Sequence, residues 1–270
     1  MGYPFFRGIQ LSFTDTNTLT PTEGKYVGFE NYQSLITSSD FSRSVLTTLI
    51  YACISVLGAL IAGLASALIM NEGFRGRLLI RSLVTLPWAT PPIAVALIFT
   101  WMFNPQYGVI NALLSKVGLV APETQWLANP TLALPAVSLI TIWMTFPFTS
   151  LVFLAALQSI PSEIYEAAKI DGASAIKLFR FVTLPLLRPT TYVLILLLSI
   201  WSLRRFDLIW VLTQGGPIDS TTTLVLRLYR ESFVNGNLGF GAAIGTVGFI
   251  LSIFCTVVYF LISRNLEESK

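Results

Sequence analysis

The feature that most constrains this chain is a set of long stretches without a charged residue. Crossing a hydrocarbon core about 30 Å thick takes roughly 20 helical residues. Four stretches have that length: residues 45–70, 82–103, 132–157 and 242–262. The chain is 54% hydrophobic and only 11% charged, far more apolar than an ordinary water-soluble domain. We therefore predict an all-α polytopic membrane protein.

A fifth stretch, residues 190–213, has the length of a span but contains three ionisable residues. Each costs roughly 2.5 to 3.5 kcal/mol at the centre of a membrane helix, so such groups usually face a partner or a cavity. In a continuous helix, Arg204 and Asp207 are three residues apart and can meet on one face. Arg205 would point about 100° away from Arg204. The sequence thus predicts one ion pair and one spare cation.

The N-terminal part is expected to be different. Residues 1–13 are apolar but too short to cross, and they lack the charged start and cleavage site of a signal peptide. We interpret them as the end of one more transmembrane helix whose first part is missing. The expected organisation is residues 1–44 as this helix end and a periplasmic segment, and residues 45–270 as a transmembrane domain. Within that domain, residues 158–188 form a loop.

Basic residues in the short loops indicate orientation, because cytoplasmic loops are enriched in Lys and Arg. Nine of them are predicted on one side: Arg75, Arg77, Arg81, Lys169, Lys177, Arg180, Arg188, Arg264 and Lys270. Six lie on the other side, over a greater length of chain: Arg7, Lys25, Arg43, Lys116, Arg227 and Arg230. The loop at residues 158–188 is therefore predicted to be cytoplasmic.

Composition also limits the chemistry. The chain has no His, the commonest metal ligand and proton carrier near neutral pH. Cys53 and Cys255 both lie in apolar runs, so we expect neither a disulfide nor a metal site. The net charge of +3 gives no reason to expect nucleic-acid binding. No catalytic residues are predicted, and without a Gly-rich loop carrying a Lys this chain is not expected to bind ATP.

Proline and small residues indicate where the spans should bend and where they should pack closely. Proline removes a backbone donor and bends or breaks a membrane helix, and the prolines in the second and third spans are Pro87, Pro91, Pro92, Pro135 and Pro147. Small residues at four-residue spacing let helices approach closely. In the first span these are Gly58 with Ala62, Ala59 with Gly63, and Gly63 with Ala67, and in the last span Gly241 with Gly245.

The loop at residues 158–188 has the signals of two short helices. Pro161 suits the first position of a helix, and Glu163 in the opening turn favours its positive end. Gly172 is placed to end this helix in a left-handed conformation. A second amphipathic helix is expected at residues 174–182, closed by Pro185. From these features alone, the loop could lie on the membrane surface or serve as a docking site for another protein.

The residues of this loop are more specific than its pattern. Glu166-Ala167-Ala168, followed by Asp171-Gly172-Ala173 and Leu184-Pro185, resembles the E-A-A loop of binding-protein-dependent ABC importer permeases. Other parts of the chain resemble the maltose-type carbohydrate uptake branch: Gly28 with Glu30-Asn31-Tyr32, Arg81 with Leu86-Pro87-Trp88, Tyr107-Gly108 with Asn111, residues 157–161, and Phe206-Asp207 with residues 213–217.

The resemblance implies a type I importer permease fold with five transmembrane helices plus the end of an N-terminal one. It implies that a coupling helix meets an ATPase subunit, which binds ATP and Mg, through Glu163, Glu166, Ala167, Ala168, Asp171 and Gly172. It also implies a homologous second permease subunit, an ATPase dimer and an extracytoplasmic solute-binding protein that delivers a sugar. The family normally has a full helix before the stretch at residues 3–15, so the number of spans is open.

Two interpretations of the charged span remain open. One is an internal salt bridge between Arg204 and Asp207, with Arg205 extended to the interface. The other is that Arg205, with Trp201 and Trp143, lines the solute pathway, together with Arg204 and Asp207. Aromatic faces suit sugar rings, and a spare Arg suits a carboxylate, sulfonate or phosphate. The solute could then be a neutral sugar, or an anionic one such as a sugar acid, sulfosugar or glycerol phosphate derivative.

Two rival functions are weaker. An ion-coupled secondary transporter would explain broken helices and buried charges, but it normally has internal repeats and carboxylates near the membrane midplane. A membrane enzyme would need a cluster of His, Cys or paired carboxylates within a span. Outside the membrane, residues 214–217 predict a turn, and the amphipathic residues 224–233 are expected to lie against the outer surface. This region is either a simple connector or a contact of the binding protein.

Overall fold

The fold is a bundle of α-helices, seen in a computed structural model that describes residues 2–21, 24–73 and 75–267. In chain order the helices are α1 Gly2–Leu11, α2 Glu30–Thr37, α3 Ser39–Asn71, α4 Arg77–Ala89, α5 Pro92–Met102, α6 Val109–Lys116, α7 Ala133–Gln158, α8 Ser162–Ile170, α9 Ala175–Leu178, α10 Leu184–Leu203, α11 Asp207–Thr213, α12 Leu224–Tyr229 and α13 Leu238–Glu267. Two π-helical turns, Phe179–Thr183 and Arg230–Val234, follow α9 and α12. The all-α fold class is thus confirmed.

Among the described residues, four helical segments are long and apolar enough to cross a membrane: Ser39–Asn71, Ala133–Gln158, Ala175–Leu203 and Leu238–Leu261. A fifth crossing is possible if α4 and α5 are counted together, although they meet at an angle of 96°. The stretch at residues 82–103 is therefore not one straight span. The break falls at Thr90 and Pro91, because a residue before proline is driven out of the helical conformation and Pro91 lacks a donor.

The centre of the bundle is the close contact between α3 and α7. A side chain at Gly58 would collide with Ile142, and one at Gly63 would collide with Thr149. The predicted role of these small residues in helix packing is thus seen here. The buried hydroxyl of Tyr51 lies 2.7 Å from Thr141 Oγ1 and ties the two helices together.

The apolar core has two main parts along the bundle. One contains Tyr51 and Ile140 together with Leu208 of α11. The other contains Phe153 of α7 and Leu198 of α10. Leu198 and Leu208 belong to different parts, so the residues between them in the chain join the two. These are the charged residues of the predicted fifth span.

That fifth span is built differently from the prediction. The helix begins at Ala175 and runs to Leu203, so the separate helix expected at residues 174–182 is wrong. The π turn Phe179–Thr183 widens the helix where the Pro185 ring would otherwise meet the carbonyl of Phe181, so the proline does not end it. The helix instead stops before Arg204, and α11 is a separate element.

The two ends of the described chain also pack together. Helix α1 lies along α13, with the rings of Phe5 and Phe249 4.7 Å apart. Residues 224–233, which form α12 and most of the π turn after it, do not lie on the outer surface as predicted. Leu224 and Leu226 are buried, and a side chain at Gly241 of α13 would collide with Ser232. This amphipathic segment is therefore part of the bundle.

Candidate functional site

Helix α8 projects from the bundle and carries the residues predicted to contact an ATPase subunit. It has no buried residue, and Glu163, Glu166, Ala167, Asp171 and Gly172 are all exposed. Ala168 is half-buried. The sequence therefore predicted this helix and its exposed surface. The helix begins at Ser162, one residue after Pro161, which was predicted as its first residue.

The end of α8 has the geometry that its sequence predicted. Gly172 has φ of +77°, and its N–H donates to Lys169 O at 3.0 Å. The N–H of Ala173 donates to Ala168 O at 3.0 Å. These two bonds form a Schellman motif, which fixes the direction in which the chain leaves the helix.

One polar contact attaches α8 to the long helix that follows. The Tyr165 hydroxyl lies 3.2 Å from Thr183 Oγ1, at the π turn ahead of α10. The apolar side chains around it are open: Ile164 is 39% exposed, Ile170 86% and Ile176 79%. An exposed apolar surface with acidic neighbours is typical of a protein-docking site. A displacement of α8 would reach α10 through this contact.

The second candidate site is a cleft of about 490 Å³ at the break between α10 and α11, which we call the charged cleft. Its lining residues are Trp88, Trp201, Arg204, Arg205, Phe206 and Asp207. Four of these were predicted from the sequence as pathway residues. Trp88 and Phe206 were not, although both stand in motifs that carry the family resemblance.

The predicted ion pair between Arg204 and Asp207 is wrong. Within residues 2–21, 24–73 and 75–267, neither residue forms a salt bridge. The reason is that α10 ends at Leu203, so the two residues do not share a helix face. Asp207 instead starts α11, where its Oδ1 accepts a hydrogen bond from Leu208 N at 2.9 Å.

Arg205 is the other unusual charge in this cleft. Its Nε is buried and has no hydrogen-bond partner among the described residues. A buried donor without a partner is costly, and a charged one more so. Of the two interpretations left open by the sequence, this geometry favours a pathway residue over a side chain extended to the interface.

Aromatic rings form one wall of the charged cleft. Phe148 lies between Trp88 and Trp201, with ring centroids 5.7 Å and 4.9 Å away. Trp143, predicted as a further pathway residue, does not line the cleft. Its ring lies 5.3 Å from that of Phe99, on the face of α7 that meets α5. The bend between α4 and α5 places Phe99 against Trp143, and it places Trp88 in the charged cleft.

Comparison with known proteins agrees with this architecture. Residues 54–269 match the family described as binding-protein-dependent transport system inner membrane component. The trehalose/maltose transport system permease protein MalF of Thermococcus litoralis is 41% identical over 242 residues, which cover 90% of this chain and 81% of the relative.

Two further comparisons are with a sulfoquinovosyl glycerol permease and an alginate transporter. The sulfoquinovosyl glycerol transport system permease protein SmoG of Agrobacterium fabrum is 37% identical over 263 residues, covering 97% of this chain and 85% of the relative. Among solved structures, a bacterial alginate ABC transporter in complex with an alginate pentasaccharide-bound periplasmic protein has a chain that matches with a TM-score of 0.83 at 26% identity. That match covers 98% of this chain and 89% of the other.

The resemblance found from the E-A-A loop is thereby confirmed, and with it the ABC importer permease fold. The match spans the charged cleft as well as α8, because both lie within residues 54–269. The chain belongs to the binding-protein-dependent transport system inner membrane component family, and it is a permease subunit of an ABC importer.

Proposed function

We propose that this chain forms part of the transmembrane path of a bacterial sugar importer and that α8 connects this path to an ATPase. The observation that carries the proposal is the exposed helix α8, with its E-A-A residues and fixed end, in a chain whose relatives are named for trehalose, maltose and sulfoquinovosyl glycerol transport. In this proposal α8 is cytoplasmic, and ATP and Mg are bound by the ATPase subunits.

The partners follow from the same proposal. A homologous second permease subunit would complete the path, and an extracytoplasmic binding protein would deliver the solute at the opposite side. Support comes from the alginate transporter, which was solved together with a periplasmic protein. This chain would perform no catalysis itself. Its work is to bind the solute weakly in the charged cleft and to change shape when α8 moves.

The test is to purify the complex from its own membranes through a tag on this chain and to measure ATP-dependent uptake in proteoliposomes. A suitable panel is maltose, trehalose, diacetylchitobiose, sulfoquinovosyl glycerol and glucuronate. We expect an ATPase subunit to co-purify, and uptake of at least one of these sugars to need ATP. Uptake by the chain alone, driven by an ion gradient, would favour a secondary transporter and contradict the proposal.

Glu166→Arg tests the role of α8 directly. Charge-assisted hydrogen bonds contribute about 1.5 to 3 kcal/mol, so we expect uptake or ATPase retention to fall by roughly 10- to 100-fold. Glu72→Arg is a matched control, because Glu72 is an exposed acid in the other loop predicted to be cytoplasmic. Equal losses in both variants would show a general charge effect and would remove the assigned role of Glu166.

A second candidate is an acidic sugar as the solute, and the specific observation that favours it is Arg205. Its guanidinium lies in the charged cleft, partly buried, and forms no ion pair among the described residues. A carboxylate or sulfonate could accept its hydrogen bonds in a bidentate arrangement. Uptake of glucuronate or sulfoquinovosyl glycerol in preference to maltose and trehalose would support this version, and the reverse preference would exclude it.

A further inference from the structure

A second, uncharged cleft lies beyond α11, and we call it the outer cleft. It has a volume of about 510 Å³, within the range of small-molecule sites. Three segments form its walls: the C-terminal end of α5, the loop at residues 104–131 and the loop at residues 214–217. The described residues that line it include no Lys, Arg, Asp or Glu. It therefore differs in chemistry from the charged cleft.

Trp126 is the aromatic surface of the outer cleft, and it is held in place from behind. Its Nε1–H donates to Asn111 Oδ1 at 2.6 Å, and its ring packs 5.5 Å from Phe103. Asn111 is only 4% exposed and donates in turn to the carbonyls of Thr124 and Pro105, at 2.9 and 3.3 Å. The indole is thus fixed before any ligand arrives, which lowers the entropy lost on binding.

Amide side chains stand around this indole. Asn104 uses its Oδ1 to accept hydrogen bonds from the N–H groups of Gln106 and Tyr107, and its amide N–H₂ donates to no group in the described part of the chain. Gln125 and Gln214 are exposed, and across residues 2–21, 24–73 and 75–267 no hydrogen bond uses their side chains. Amides offer donors and acceptors together, as sugar hydroxyls require.

The backbone at Gln214 holds an unfavourable conformation. Its φ is +52°, a left-handed value that costs free energy for a residue with a Cβ. Arg230 supports it by donating from Nη2 to Gln214 O at 2.6 Å. Glycine adopts a left-handed conformation without strain, and Gly215, directly after Gln214, is also left-handed. This left-handed turn ends α11 and places Gln214 in the lining of the outer cleft.

We propose that the outer cleft binds a neutral sugar unit of the transported solute. A flat indole suits the C–H face of a sugar ring, and the three amides suit its hydroxyl groups. The inference rests on the proposed function, since it requires that a sugar crosses the membrane along this chain. Helix α11 lines both clefts and has seven residues, about 10 Å of helix, so the two could hold successive units of one solute.

The first test is protection of a cysteine placed on the cleft. Gln125→Cys is made in a chain that also carries Cys53→Ser and Cys255→Ser, and the purified complex is labelled with a membrane-impermeant maleimide. The sugar with the highest uptake in the panel is then added without binding protein. We expect labelling to slow by about threefold or more when the site is largely occupied. Ile218→Cys is the control, because Ile218 is 87% exposed outside the cleft.

The outcomes separate the two proposals. If the complex takes up a sugar but that sugar leaves the Gln125→Cys rate unchanged, the outer site is overturned and the proposed function stands. If no sugar of the panel is taken up, the proposed function itself fails. If a sugar-free binding protein alone protects Gln125→Cys to the same degree as the sugar, the cleft is a protein contact and our inference is wrong.

The second test uses the indole itself. Trp126→Ala removes the stacking surface, and we expect the sugar concentration that half-protects Gln125→Cys to rise by about three- to tenfold. Trp101→Ala is the matched control, since Trp101 is 75% exposed on α5 and does not line the cleft. An unchanged half-protection concentration in Trp126→Ala would overturn the assigned role of the indole.

Discussion

The charged cleft and the outer cleft share helix α11 but differ in how they can recognise a solute. The charged cleft places two guanidinium groups and a carboxylate beside aromatic rings, at the junction of the two core regions. The outer cleft offers an indole and amides near the loops. The buried Nε of Arg205, which has no partner among the described residues, can discriminate strongly between solutes with and without an anionic group. Neutral groups bind more weakly and let a solute leave again.

This difference suggests a division of work along the path. A site that a solute must enter and leave quickly cannot bind it tightly, and weak stacking with amide contacts meets that need. A site that decides which solute passes needs a strong difference between competitors, and an unpaired buried donor supplies one. The two clefts should therefore respond differently to substitution, and equal responses would contradict this division of work.

The largest effect is expected for Arg205→Gln. Removing one charge-assisted contact in a partly buried site costs about 1.5 to 3 kcal/mol, so uptake of glucuronate or sulfoquinovosyl glycerol should fall by roughly 10- to 100-fold. Uptake of maltose or trehalose should change much less, because these sugars have no anionic group. Initial uptake rates in proteoliposomes measure both.

Trp126→Ala is the comparison for Arg205→Gln, because it should weaken the binding of neutral and acidic sugars alike. Unchanged transport of both classes in Arg205→Gln would dispose of the anionic version. An equal loss for both classes would make Arg205 a structural residue and remove the contrast between the clefts.

The sequence predicted well those parts whose structure is decided locally. The end of α8 is one example, since Gly172 needs only its own left-handed conformation and the carbonyls of the preceding turn. The packing of α3 on α7 is another, because Gly58 and Gly63 each belong to a four-residue repeat of small residues, which favours close helix contact. Three of the long apolar helices, Ser39–Asn71, Ala133–Gln158 and Leu238–Leu261, also follow directly from their long uncharged stretches.

The charged cleft could be predicted only in part, because its shape depends on where helices stop. A pattern of three-residue spacing predicts an Arg204–Asp207 pair only if the helix continues through both, and it ends at Leu203. Trp143 was misplaced because its neighbour Phe99 is set by the 96° bend before α5. Proline indicated a break there, but not its direction.

The outer cleft was missed because it joins distant residues. Trp126 is held by Asn111, fifteen positions earlier, and it lines a cleft with Gln214 from another part of the chain. Asn111 and residues 213–217 did stand among the motifs of the family resemblance. A polar residue in such a motif, next to a turn signal, was the available hint. Spacing alone could not show that the two loops meet.

A smaller effect is expected for Asn111→Ala, which leaves the outer cleft in place but frees its indole. The change removes the acceptor of Trp126 Nε1–H and the donor to Thr124 O. Loss of buried hydrogen bonds costs about 1 to 3 kcal/mol in unfolding free energy. We expect a lower melting temperature of the purified complex and weaker protection of Gln125→Cys by sugar.

The matched control for Asn111→Ala is Asn129→Ala, since Asn129 caps the turn before α7 through its own side-chain oxygen and does not line the cleft. It should lower stability without changing protection. If both variants changed protection equally, the effect would be a general loosening of the loop at residues 104–131 and not a loss of the held indole.

Beside the outer cleft lies a small network of charges that supports its strained edge. Arg230 donates to Asp219 Oδ1 at 2.5 Å and also holds the carbonyl of Gln214. Arg227, whose side chain is only 12% exposed, lies 3.7 Å from Asp219 and 3.9 Å from Glu231. It also donates from Nε to Ser44 Oγ at 2.7 Å, at the start of α3. The network therefore connects the cleft edge to the main bundle.

The smallest effect is expected for Asp219→Asn, and its size depends on pH. Burial by itself raises the pKa of Asp219, but hydrogen bonds from Thr222 and Arg230 and the charges of Arg230 and Arg227 hold the pKa below its ordinary 3.8. A carboxyl with a lowered pKa in the folded state stabilises it above its unfolded pKa, and this contribution disappears as pH falls through the folded pKa. Since the side chain is 39% exposed, solvent screening keeps the effect below about 1 kcal/mol. Wild type should thus melt slightly above Asp219→Asn at about pH 6, and the difference should disappear as the pH falls below 3.8 and through the lowered pKa. Glu123→Gln, which changes an exposed acid of the loop at residues 104–131, is the control for a general change of net charge. A melting difference that stayed constant or grew on acidification would mean that Asp219 does not act through its charge, and that the edge of the outer cleft is held by Arg230 and Gln214 alone.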